Sequence, residues 1–270
     1  MTKQSFDDDD GNDIILRLRQ DFLDDVIDRL DRIDDALFPP DGKVDEPSNV
    51  LQLLRRECHG IKGMGSSFGF PIVTTLAHRL EDYLAGVDIL TDTHAVAVDV
   101  YLRHLRAIVE RGHDPAEDAA DKIIRSLPVN AGFDMADVEQ RDVEVLLVAP
   151  SRTIAHMVSR ELAACGYRVT TARTPWEAFE LCICMRPDIV IASATLERVT
   201  GVDLLRMFAA ISTTAHIRRA VLTSFSRDHD SLSSLPENTH IVRLKGDFAA
   251  DLADVITEFE GQPPQRVASR

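Results

Sequence analysis

The segment Glu57-Cys58-His59-Gly60-Ile61-Lys62-Gly63-Met64-Gly65-Ser66-Ser67-Phe68-Gly69 sets one imidazole beside one primary amine, among four glycines. An imidazole is partly unprotonated at neutral pH and is therefore a nucleophile. A cation three residues on can neutralise the oxygens of an incoming phosphoryl group. Arg55 and Arg56 lie one turn before His59 and add a local basic patch. Ser66 flanks the same face. The chemistry these residue types suit is phosphoryl transfer through a covalent phosphohistidine.

Such a nucleophile has to be held facing solvent, and the surrounding pattern predicts a helix over 49–68. Leu51, Leu54, Cys58, Ile61, Gly65 and Phe68 make a narrow apolar stripe. At about 100° per residue, His59 points away from that stripe, and Gly63 follows one turn later on the same face. A glycine in mid-helix costs about 1 kcal/mol relative to alanine. Its use here is to leave His59 open to a partner. Gly69 and Pro71 end the helix.

Four more helices complete the first half. Residues 13–37 place Ile15, Leu18, Phe22, Val26, Leu30, Ile33 and Leu37 at helical spacing, with Asp on the other face. A third helix carries Val73, Leu76, Leu80 and Leu84 and stops near Gly86. A fourth covers 93–111, and a short fifth 116–127. Short loops between antiparallel neighbours make a helical bundle with a four-helix core. Residues 1–12 read as an acidic tail, 13–127 as the bundle and 128–141 as a polar linker.

The rhythm then changes. Val145–Val148, Arg168–Ala172, Asp188–Ala192, 217–222 and His240–Leu244 read as strands. Helical patterns at 151–164, 175–185, 201–212, 227–235 and 247–260 alternate with them. The expected fold of 142–260 is a doubly wound α/β domain with a five-stranded parallel sheet. Residues 261–270 read as a disordered tail.

The run His59-x-x-Lys62-Gly63, closed by Gly69 and followed by Leu76-Ala77-His78-Arg79-Leu80-Glu81, resembles histidine-containing phosphotransfer domains, most closely the type found in chemotaxis kinases. That resemblance implies a four-helix bundle with an additional helix, phosphorylation of His59, and exchange with an aspartate on a response-regulator receiver domain. Glu81 reads as a solvated or helix-pairing carboxylate.

The second half resembles a receiver domain through VEVLLVAPS, RPDIVIASATLERVTGVDLLRMF, AVLTS and VRLKGDF. A working receiver needs carboxylates around Mg²⁺. Here Ala149 and Pro150 stand where the acidic pair would end the first strand, and Ser193 stands where the phosphoacceptor aspartate would be. Thr223 and Lys245 keep the remaining polar positions. The expectation is a pseudo-receiver that is not phosphorylated.

These readings imply a phosphorelay intermediate in two-component signal transduction. It would have no intrinsic cofactor, would take Mg²⁺ chemistry from the partner receiver, and would not autophosphorylate with ATP. Expected partners are response-regulator receivers and a sensor histidine kinase, with self-association through the pseudo-receiver. A different class of function is a non-phosphorylated adaptor that binds a kinase or receiver. With 45 Asp and Glu against 30 Lys and Arg, the net charge is -15, a poor match for nucleic acid or an anionic membrane. No apolar run is long enough to span a bilayer, and the acidic N-terminus lacks a signal region, so a cytoplasmic location is expected. The other eight histidines and the four cysteines show no metal-ligand spacing.

Overall fold

The computed structural model describes residues 8–40, 46–129, 141–244 and 248–260. The chain divides into two compact units, Met1–Asn130 and Ala131–Arg270.

The first unit is helical. It comprises α1 (Asp8–Leu37), α2 (Pro47–Lys62), a 3-10 turn (Gly65–Phe68), α3 (Pro71–Ala85), α4 (Asp92–Arg111) and α5 (Glu117–Ser126). Pro47 and Pro71 occupy the first helical positions, where the missing N–H is harmless. Thr91 and His94 form a capping box at the start of α4. α1 packs on α2 and α4, and α3 packs on the same two helices, so the four close a ring. Val26, Leu30, Ile33, Leu54, Ile61, Leu76, Leu80 and Leu105 are fully buried inside it. At one end Phe22 stacks on Phe68, with ring centroids 5.0 Å apart, and meets Phe70. α5 buries Ala120 and Ile124, and Tyr101 donates to the Pro128 carbonyl just beyond it.

Two expectations for this half need correction. α2 stops at Lys62 rather than running to 68, so Gly63 is its C-cap and not a mid-helix residue. The propensity cost expected for an interior glycine does not apply there. Ile15 and Leu18, expected on the inward stripe of α1, are 64% and 50% exposed. The bundle ends at Arg19, whose guanidinium donates to Gly112 O at the end of α4. The first turns of α1 extend past that point.

The second unit is α/β, with β1 (Glu144–Val148), α6 (Arg152–Ala164), β2 (Arg168–Ala172), α7 (Pro175–Met185), β3 (Ile189–Ser193), α8 (Gly201–Ala210), β4 (Arg218–Thr223), β5 (Thr239–Arg243) and α9 (Phe248–Glu260). All strands are parallel, in the order β2-β1-β3-β4-β5. That order is one of the two common doubly wound arrangements, with a switch point between β1 and β3. β1 is buried at every position, which explains its continuous apolar run. Val145, Leu147, Ile189, Ile191, Leu222 and Val242 meet Val158, Leu162, Val255 and Phe259 in one core. The helix expected over 227–235 is reduced to a single 3-10 turn, Asp230–Leu232. Residues 227–235 offer only Leu232 and the half-buried Leu235 as apolar side chains, too little for an amphipathic helix.

Candidate functional site

His59 lies in the last turn of α2 with 73% of its side chain exposed. Cys58 and Ile61, its neighbours on the stripe, are fully buried, so their packing fixes the face that His59 presents. Glu81 reaches over from α3. One of its oxygens lies 2.9 Å from His59 Nδ1 and the other 2.5 Å from Lys62 Nζ. Burial acts to raise the Glu81 carboxyl, but hydrogen bonds from Lys62 and His59 outweigh it and hold the group below the ordinary carboxylate range. An ionised carboxylate only accepts hydrogen bonds, so Nδ1 must donate. In the neutral ring the lone pair is then on Nε2.

Lys62 is therefore ion-paired to Glu81 beside His59. Gly63 is exposed, and a Cβ built there would meet nothing closer than 3.7 Å. The position needs no glycine for the packing of this chain. Gly69 has a different reason, a left-handed backbone at φ 83 that closes the 3-10 turn. Ser66 belongs to the same turn, where its N–H and hydroxyl both donate to Thr74 Oγ1, at 2.9 and 3.1 Å.

The two arginines do not form the expected patch. Arg55 donates to Leu84 O and Val87 O, both at 2.8 Å, and ties α2 to the C-terminal end of α3. Arg56 pairs with Glu57, which is buried and also accepts from Arg29 and Arg32. Burial raises the Glu57 carboxyl, and the hydrogen bonds of Arg32 and Arg56 more than reverse that. Arg56 is thus paired with Glu57 while most of its side chain stays exposed. The residue that spacing undervalued is Glu81. Its signal was present, since Glu81 and His78 are three apart on α3, but partnership with His59 spans 22 residues and is invisible to helical periodicity. His78 itself is buried, 3.6 Å from Asp82.

Residues 17–111 match the family model of the Hpt domain. These residues form an Hpt domain. Its place is two-component phosphorelay signalling. No curated protein matches the chain. Among solved structures, the receiver domain of a sensor histidine kinase from Pseudomonas aeruginosa, described with magnesium coordinated in its active-site cleft, is 20% identical, covers 44% of this chain and 98% of its own, and has a TM-score of 0.40. The chemotaxis response regulator CheY4 of Vibrio cholerae is 21% identical over 43% of this chain and 98% of its own, with a TM-score of 0.39. A receiver domain of a histidine kinase from Syntrophus aciditrophicus is 21% identical over 47% and 98%, with a TM-score of 0.42.

Beside the Hpt domain, the second unit gathers its own candidate residues at the C-terminal edge of the sheet. Ala149 and Pro150 follow β1, Ser193 ends β3 and Thr223 ends β4. Ser193 Oγ donates to Thr195 O at 3.2 Å, and Thr223 Oγ1 accepts from Phe225 N at 3.0 Å. A Cβ on Gly201 would sit 1.9 Å from Ser193 O, so only glycine lets α8 start against this strand. Lys245 lies outside the described residues. Mg²⁺ requires several hard oxygen ligands. Among the described residues no group of three or more His, Cys, Asp or Glu could hold a metal. The apolar Ala149 and Pro150 and the lone hydroxyl of Ser193 do not fit that ion. No described helix is long and apolar enough to cross a membrane.

Proposed function

We propose that this protein is a phosphorelay intermediate in which His59 Nε2 accepts a phosphoryl group and exchanges it with the aspartate of a partner response-regulator receiver. One observation carries the reading: Glu81 anchors Nδ1 of a histidine whose ring is otherwise in solvent. The anchored ring directs its lone pair outward and can delocalise positive charge toward Glu81 as the N–P bond forms. Lys62 Nζ stands beside the incoming oxygens. Gly63 leaves the approach clear for the partner, and the partner supplies Mg²⁺ and the aspartate.

Among the described residues, the strand ends of the second unit offer no cluster of Mg²⁺ ligands and no carboxylate nucleophile. We read it as a pseudo-receiver that binds without being phosphorylated, with a kinase, a receiver or a second copy of the chain as its partner. This favours one competing reading, an adaptor in which neither unit carries phosphate. A transfer assay separates the two. Purified chain and His59→Gln are mixed with a labelled phosphorylated receiver. Acid-labile, alkali-stable label on the wild type alone supports the carrier. Binding without label on either protein supports the adaptor.

A further inference from the structure

The C-terminal edge of the sheet in the second unit carries the reverse of the charge a divalent cation needs. β2, β1 and β3 are neighbours, and Val148 is level with Ala172 and Ala192. The loops leaving these strands emerge side by side, at strand spacings of about 4.8 Å. Each delivers an arginine. Arg173 directly follows β2, Arg152 opens α6 just after β1, and Arg198 lies in the loop after β3. All three are exposed, and Arg198 is held at φ 68, an uncommon conformation for a residue with a Cβ.

Elsewhere many arginines of this acidic chain sit on carboxylates, as Arg29, Arg106, Arg168 and Arg243 do, and others donate to backbone carbonyls, as Arg19 and Arg55 do. Among the described residues the guanidinium groups of Arg152, Arg173 and Arg198 have no such partner. Among the described residues the loops after β2, β1 and β3 and the first turn of α7 hold two acids. Glu177 accepts from the backbone N–H of Arg173 at 2.7 Å, and Glu197 shares the loop of Arg198. The floor between them is Ala149, Pro150, Ser193 and Thr223, with no acid among the described residues.

We propose that this edge binds a phosphoryl dianion through Arg152, Arg173 and Arg198, and so reads phosphate instead of accepting it. The planar guanidinium fork matches phosphate oxygens and forms charge-assisted hydrogen bonds with them. With no carboxylate nucleophile among the described residues at the strand ends, the bound group stays on its donor. The dianion has two sources, free orthophosphate or the phosphohistidine of an Hpt domain. The second source rests on the reading of His59 given above.

Trp176 is the only tryptophan and is 67% exposed at the start of α7, three residues past Arg173. Its fluorescence reports on this edge. The test uses the full chain with His59→Gln, so that it is independent of whether His59 carries phosphate. The chain is titrated at constant ionic strength with orthophosphate and, separately, with the free amino acid phosphohistidine, against chloride. A saturable change in either titration is expected, with apparent affinity at least tenfold weaker in Arg173→Gln/Arg198→Gln. Tighter binding of phosphohistidine than of orthophosphate identifies the histidine source, and the opposite order identifies free phosphate. No saturation beyond that of chloride, or saturation unchanged in the double variant, overturns the proposal. Both arginines are exposed, and an unchanged melting curve shows that the double variant is folded.

Discussion

Glu81 holds Nδ1 of His59 at 2.9 Å from the neighbouring helix, and this contact joins two residues that are remote in the chain. In the neutral ring it leaves the lone pair on Nε2, the nitrogen proposed to accept the phosphoryl group. Replacing Glu81 by Gln keeps the shape and removes the charge. Phosphotransfer to His59 is expected to slow about 10- to 100-fold, the equivalent of the ~1.5–3 kcal/mol of a hydrogen bond to a charged group. The rate of labelling as a function of pH checks it, because a residue with a merely structural role would leave the profile unmoved.

His59→Gln is expected to abolish acid-labile label while changing stability by no more than about 0.5 kcal/mol, as for other exposed positions. Transfer and thermal melts on the same preparation test both halves. Label persisting at the wild-type level would place the phosphoryl group elsewhere.

Gly63 separates packing from docking. A Cβ there would make only ordinary van der Waals contacts, at 3.7 and 3.8 Å, and no clash. Gly63→Leu should therefore leave the melting temperature near wild type but reduce the transfer rate at least tenfold by obstructing the partner. A large loss of stability with normal transfer would reverse the assignment.

Arg55 tests the opposite case. Arg55→Ala removes two hydrogen bonds to the C-terminal end of α3. A loss of about 1–3 kcal/mol in urea unfolding is expected, with transfer by the folded protein changed less than about threefold. A basic patch serving the phosphoryl group would show the reverse.

Asp251 makes a pH prediction for the second unit. Hydrogen bonds from Arg243, together with one from Arg227, outweigh burial and depress its carboxyl to about 2 from 3.8. A depressed carboxyl contributes stability above its unfolded pKa and loses it as pH falls through the folded one. The urea midpoint of this unit should fall between pH 4 and pH 2. In Asp251→Asn that portion of the dependence should be absent, which denaturation series at several pH values will show.

The sequence alone determined the two folds, because burial periodicity is a local property. The apolar run of β1 and the stripe through Leu54, Cys58 and Ile61 are legible without coordinates, since each strand or helix turns the same residues inward wherever it packs. It also determined the exposure of His59 and the absence of acids at Ala149, Pro150 and Ser193. Helix ends were less legible: Gly63 stops α2, and the segment around Leu232 is too polar to sustain a helix. The tertiary structure alone decided where the charges go. Arg55 and Arg56 sit one turn from His59 in sequence, yet the carbonyls of Leu84 and Val87 and the buried Glu57 claim them. Glu81, 22 residues away, becomes the partner of His59 because α3 packs along α2. Ion pairs and hydrogen bonds form across only a few ångströms, and which groups come that close is set by how the helices dock.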